Sequence, residues 1–162
     1  MNNTSESPVA VVAGGGSGIG YGCARRLAKM GYRVIVVGRD AAKLDAAVKN
    51  IIDSGGDATA FSADVRDWNR LGELHALVAD TGIDLLINSA GGQFAQPSAE
   101  LSRDGWQSVV DINLSGSFFC AVNCNLPWPS DAAALCWWLP ICGAAPRQRW
   151  HIRPPLVPAS LI

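Results

Sequence analysis

Residues 9 to 20 read VAVVAGGGSGIG, a short β-branched run that breaks into glycines and then, from Gly18, into a helical pattern ending at Gly31. A strand that runs through a glycine-rich turn into a helix is the context in which backbone N–H groups converge on an anion. The spacing is Gly14-x-x-x-Gly18-x-Gly20. Gly14 allows the tight turn, Gly18 lets the backbone approach a pyrophosphate, and Gly20 lets the helix pack closely on the sheet. Gly16, Ser17 and Ile19 complete the same turn. The stretch predicts a dinucleotide loop, against the alternative of a glycine turn that holds no ligand.

Outward from this turn a strand–helix alternation continues to Val122. RVIVVG (33–38) predicts a second strand, and DAAKLDAAVKNIIDSG (40–55) a helix with a capping Asp and a closing Gly. ATAFSA (58–63) predicts a third strand, DWNRLGELHALVADTG (67–82) another helix, and DLLINSAGG (84–92) a fourth strand that breaks into glycines. Residues 102 to 122 predict one more long helix, with Trp106, Val109, Val110, Ile112 and Phe118 among its apolar positions. Continuous apolar strands between amphipathic helices imply an α/β fold, a doubly wound parallel sheet of Rossmann type covered on both faces.

Length, charge and cysteines narrow the function classes. The chain's 162 residues suit one domain with a sizeable core, and a formal charge of −1 supplies no basic footprint for nucleic acid or an anionic membrane. No apolar run is long enough to span a bilayer, and the start MNNTSESPVAVVAGGG has no basic segment leading into a long apolar one. Five cysteines without paired C-x-x-C spacing read as free thiols in a reducing cytoplasm. Cys124, Cys136 and Cys142 lack metal-ligand spacing, so no metal site is expected.

Four motifs in order resemble the short-chain dehydrogenase/reductase family. AGGGSGIG stands where such proteins carry T-G-x-x-x-G-x-G, with Ala13 in place of the usual threonine. Asp64-Val65 follows strand three, where the family holds adenine. Asn88-Ser89-Ala90-Gly91 is close to the family's N-N-A-G, and Asn113 in VVDINLSGSFF matches the helix-four asparagine, the one expected catalytic residue present. The resemblance implies a nicotinamide dinucleotide held by the glycine turn, Asp64, Val65, Asn88, Ala90 and Gly91, a small-molecule substrate, and association into homo-oligomers.

The end of strand two bears on the cofactor. NAD enzymes of this type place an acidic residue there to hold the ribose hydroxyls. This chain has Gly38 followed by Arg39. Losing the carboxylate removes repulsion against a 2′-phosphate, and a neighbouring guanidinium can pair with it, so NADP(H) is favoured over NAD(H). An exposed arginine before a helix is the alternative. The loop GGQF, followed by GW and D-I-N-L-x-G-x-F, further resembles trans-2-enoyl-CoA reductases, implying hydride transfer to an unsaturated acyl thioester. Carbonyl reduction stays open beside it. Ser89, Gln93 and Phe94 are the candidate substrate contacts.

Other family features are missing. The family's Tyr-x-x-x-Lys donates and tunes a proton at the substrate oxygen. Here the only tyrosines are Tyr21 and Tyr32, and the last lysine is Lys49. Ser115 and Ser117 precede the place of strand five and do not match the family serine. Residues 1–122 therefore correspond to the N-terminal part of the family domain, and 123–162 to a tail outside it. That tail holds four of the six tryptophans and seven of the nine prolines, with no lysine and no glutamate. Read one base earlier with permitted third bases, ALCWWLPICGAAPRQRW becomes an apolar strand, a loop and an alanine-rich helix start. A frameshift accounts for this, with an alternative tail that binds a partner through its tryptophans as the rival; His151 beside Trp150 reads as an ordinary tail residue. Prolines leave the tail little room for an inner strand. The expectation is a sheet that stops after the fourth strand, an unpaired apolar edge at DLLIN, and a chain prone to aggregate.

Overall fold

The computed structural model describes residues 7–78, 81–124 and 134–137. Its strands are β1 (Val9–Ala13), β2 (Arg33–Gly38), β3 (Asp57–Ser62), β4 (Leu85–Asn88) and β5 (Ala134–Trp137). They form one sheet in the order β3-β2-β1-β4-β5, and every pairing is parallel. Val9 to Ala13 pair with Arg33 to Val37 on one side, and Ala10 to Ala13 with Leu85 to Asn88 on the other.

All five residues of β1 are buried. Alternate side chains of one strand enter different cores, which is why the strands read as continuous apolar runs. Ala10, Val12, Val34 and Val36 pack with Ala24 and Leu27 of α1 (Gly18–Lys29) and Leu44 and Ile51 of α2 (Ala41–Asp53). On the opposite face Val9, Val11, Ile35 and Val37 pack with Leu71 and Leu74 of α3 (Trp68–Ala76) and with Cys120 and Cys124. Each fully buried Val or Leu contributes about 1.5–3 kcal/mol relative to exposure, so the two-sided covering stabilises both layers. The capping Asp40 accepts a hydrogen bond from the Lys43 amide at 3.1 Å. Gly55, at φ +81°, turns the chain out of α2.

The long helix runs from Arg103 to Asn123, as α4 (Arg103–Val110), a π-helical turn (Asp111–Ser115) and α5 (Gly116–Asn123). The interruption has a local cause in two side chains that bond into the backbone ladder. Asn113 Nδ2 donates to the Val109 carbonyl at 2.8 Å, and Ser117 Oγ donates to the Asn113 carbonyl at 2.6 Å. Trp106 and Phe118, counted among the apolar positions, are exposed, as are Leu114 and Val122.

One expectation is corrected at the C-terminal side. The sheet does not stop after four strands: Ala134 to Trp137 pair with Leu85 to Asn88, so the β4 edge is covered. The stretch between Pro129 and Pro140 contains no proline, so its N–H groups can serve a ladder. The helix expected over residues 102–122 is present and runs from Arg103 to Asn123, with Cys124 buried in the core behind it. The tail readings at Cys142, Trp150, His151 and the prolines lie outside the described residues.

Candidate functional site

The carboxyl ends of β1, β2, β3 and β4 open onto one cleft of about 540 Å³, where open parallel sheets hold ligands. Its floor is the glycine turn. Gly14 has φ +74°, and a Cβ there would lie 2.6 Å from the Ala90 amide nitrogen, so the turn lies against the loop after β4. Its N–H donates to the Val37 carbonyl at 2.8 Å, tying the turn to the end of β2. Gly20 is bare for a related reason: a Cβ there would strike the Gly14 carbonyl oxygen. The close approach that Gly20 permits is thus to the turn itself and not to the face of the sheet.

Helix α1 starts at this turn with an electrostatic asymmetry. Its N-cap, Ser17, makes no side-chain cap, and its first turn carries no acidic residue. Helix α2, by contrast, is capped by Asp40. The positive end of the α1 dipole therefore faces the turn with no acidic side chain in the helix's own first turn and no side-chain cap to neutralise it.

Of the residues singled out in the sequence, Gly14, Gly16, Ser17, Arg39, Asp64, Val65, Ala90 and Gly91 line the cleft, with Ser89 beside them. Gly18, Ile19, Gly20, Asn88 and Asn113 do not line it. Gly18 takes φ +55° at the helix start, and Ile19 is exposed. Asn88 is buried at the end of β4, and its side-chain amide has no hydrogen-bond partner among the described residues. Asn113 sits behind the wall, bonded to Gly92, while its neighbour Ile112 reaches the cleft. Gln93 and Phe94 are exposed, and the Phe94 ring lies against Gly105.

Charge gathers at the β2–β3 end. Arg39 Nη1 lies 3.9 Å from Asp64 Oδ2, and the Arg39 side chain is 61% exposed. Asp64 is held much more firmly by Arg66, whose Nη2 donates to Oδ2 at 2.6 Å and whose Nε and backbone N–H donate to Oδ1 at 3.0 and 2.9 Å. The Arg66 side-chain hydrogen bonds, set against partial burial, keep the Asp64 carboxyl below its usual range. Lys43 also lines the cleft, with Nζ 3.4 Å from Asp40 Oδ2. Sequence reasoning missed Lys43, Arg66 and Ile112. For Lys43 the signal was available, since it falls in the first turn of the helix that follows Arg39.

The family model for short chain dehydrogenases matches residues 8–127. A Bacillus subtilis protein named "Probable 2,4-dienoyl-CoA reductase" is 34% identical over 125 residues, which cover 76% of this chain and 49% of that protein. A Synechocystis 3-oxoacyl-[acyl-carrier-protein] reductase is 36% identical over 115 residues, covering 69% of this chain and 47% of that one. Among solved structures, an actinorhodin polyketide ketoreductase with NADPH aligns with a TM-score of 0.70 at 37% identity, over 73% of this chain and 46% of that chain. The chain spans about half the length of the curated relatives it matches.

Proposed function

The chain belongs to the short-chain dehydrogenase family, and on that premise we propose that residues 1–122 are the cofactor-binding part of an NADP(H)-dependent oxidoreductase. The reaction class is reduction of an enoyl-CoA or a carbonyl compound, in keeping with the names of its relatives. Among the described residues no helix is long and apolar enough to cross a membrane. We assign the protein to the cytoplasm on its cysteine usage.

One observation carries the cofactor reading: Arg39 lines the cleft beside Gly38, at the end of β2, where a carboxylate would serve a free ribose. A guanidinium there favours a phosphate and a carboxylate repels it. The residues fit a dinucleotide in other respects. Gly14 and Gly20 clear the backbone of side chains at the turn, and the uncapped start of α1 offers N–H groups to a pyrophosphate. Gly16, Ser17, Gly18 and Ile19 shape that turn. Asp64 and Val65 would bound the adenine, with Asn88, Ala90 and Gly91 toward the nicotinamide end. Ser89, Gln93 and Phe94 are the proposed substrate contacts.

The bound cofactor supplies the hydride. The family's usual proton donor, the tyrosine of Tyr-x-x-x-Lys, does not occur in this sequence. Asn113 is the retained member of the family's catalytic set, and in this chain its amide steadies the loop at Gly92. We therefore assign this chain cofactor binding without turnover, and the residues beyond the family match, 128–162, to a segment outside the family pattern, produced by a change of reading frame. Resequencing the coding DNA across Cys120 to Asn125 tests that origin; the absence of an adjacent open frame carrying strand and helix would refute it. The exposed Trp106, Leu114, Phe118 and Val122 support association between copies.

The function is tested by titrating the chain with NADPH and NADH and following nicotinamide fluorescence. One charge-assisted contact is worth about 1.5–3 kcal/mol, so NADPH should bind about tenfold or more tighter, and Arg39→Ala should abolish the difference. Equal affinities in the wild type would overturn the NADP(H) assignment. Oxidation of NADPH with an enoyl-CoA or ketoacyl thioester would overturn the assignment of no turnover.

A further inference from the structure

Asp64 lies within reach of two arginines, and only one of them holds it closely. Arg66 binds both carboxylate oxygens through Nε and Nη2 at 3.0 and 2.6 Å and adds its backbone N–H at 2.9 Å. Arg39 stands 3.9 Å away, beyond hydrogen-bond range. A bidentate guanidinium–carboxylate pair is the strongest geometry open to these groups. It fixes the orientation of the carboxylate and fills three of its roughly four acceptor sites. The consequence for Arg39 is that its guanidinium is left 61% exposed at the cleft instead of being locked to a neighbouring acid. Arg66 itself does not line the cleft.

We propose that Arg66 is a positioning residue for cofactor selectivity: by engaging Asp64 it keeps Arg39 available for the 2′-phosphate of an adenosine ligand. This rests on the NADP(H) reading above and deepens it. Without Arg66, the Asp64 carboxylate turns to Arg39 and competes directly with the phosphate for the same guanidinium. The other cation at the cleft, Lys43, does not compensate, because Asp40 already lies 3.4 Å from its Nζ. Loss of Arg66 should thus weaken ligands that carry a 2′-phosphate more than ligands that lack it. A role confined to holding Asp64 for adenine would weaken both alike.

The test uses the full chain with two small probes, adenosine 2′,5′-bisphosphate and 5′-AMP, by isothermal titration. Wild type should favour the bisphosphate. Exposed ion pairs are worth up to about 1 kcal/mol, so Arg66→Ala should shrink the bisphosphate-to-AMP affinity ratio by about three- to fivefold. Arg66→Lys, which keeps the charge, should restore part of it. In an Arg39→Ala background, Arg66→Ala should leave the ratio unchanged, because the guanidinium it protects is gone. A wild type with a high ratio that Arg66→Ala preserves or raises overturns the role of Arg66 and leaves the NADP(H) reading standing. A wild-type ratio near one overturns both.

Discussion

Asn113 and Gly92 hold each other reciprocally: Asn113 Nδ2 donates to the Gly92 carbonyl at 2.7 Å, and the Gly92 N–H donates to Asn113 Oδ1 at 3.3 Å. The same Nδ2 also donates to the Val109 carbonyl at 2.8 Å. One buried side chain therefore ties the loop after β4 to the π-helical turn, and through that loop it supports the wall formed by Ser89, Ala90 and Gly91.

Substituting Asn113 tests this linkage. Asn113→Ala leaves the Gly92 and Val109 groups without their partner, which costs about 1–3 kcal/mol for a buried polar group. Asn113→Asp should do comparable harm, since a carboxylate accepts but cannot donate to the two carbonyls. Urea unfolding followed by far-UV circular dichroism should show the midpoint falling in both variants. An unchanged midpoint in Asn113→Asp would refute the donor role.

The glycines of α1 offer a contrast within one helix. A Cβ on Gly20 meets backbone at Gly14, which cannot move aside without opening the turn, whereas a Cβ on Gly22 meets nothing within 4 Å. Gly20→Ala should destabilise by about 1–3 kcal/mol, in the range of overpacked sites. Gly22→Ala should stabilise by up to about 1 kcal/mol through helix propensity alone. Thermal melts of the two variants should move in opposite directions from wild type.

Much of this was legible in the chain, and the reason is the period of its patterns. VAVVA and RVIVV read as inner strands because residues facing either core must be apolar, and Asp40 and Gly55 marked the ends of α2 by cap chemistry. The fifth strand was not legible. ALCW lies among prolines and tryptophans, and only the exposed edge of β4, a tertiary fact, gives those residues something to pair with. The π-helical turn was hidden for a similar reason, since Asn113 and Ser117 suit a plain helix until their hydrogen bonds are traced. At the cleft, Arg39 and Asp64 could be singled out from position, but Arg66 takes its importance from a side-chain direction that spacing does not encode.

Cys120 and Cys124 give the fold a pH dependence on the alkaline side. Burial pushes both thiols up to about 12 from an ordinary value of 9.0. The unfolded chain thus releases these protons earlier than the folded one, and stability falls as pH rises from about 9 toward 12. Below 9 both states keep the thiols protonated and the contribution is constant. Urea midpoints measured from pH 7 to 10.5 should decline at the alkaline end, and Cys120→Ala/Cys124→Ala should flatten that decline. Iodoacetamide at pH 8 should label the half-buried Cys23 ahead of both, as peptide mass spectrometry can read directly.

The pairing of β5 with β4 makes the last prediction. Leu86 pairs with Leu135 and Ile87 with Cys136. In a parallel ladder alternate residues direct their N–H groups to opposite sides, so of Leu135 and Cys136 one donates toward β4 and the other away. Proline removes the donor wherever it stands and is tolerated only where the N–H has no strand to serve. Leu135→Pro and Cys136→Pro should therefore differ. The variant that loses the bond to β4 should release that apolar edge, raising light scattering at micromolar concentration and speeding amide exchange at whichever of Leu86 and Ile87 directs its N–H to β5. Its partner should stay closer to wild type. If both variants match wild type in scattering and exchange, residues 134–137 do not cover β4 in solution, and the exposed edge expected from a four-stranded sheet returns.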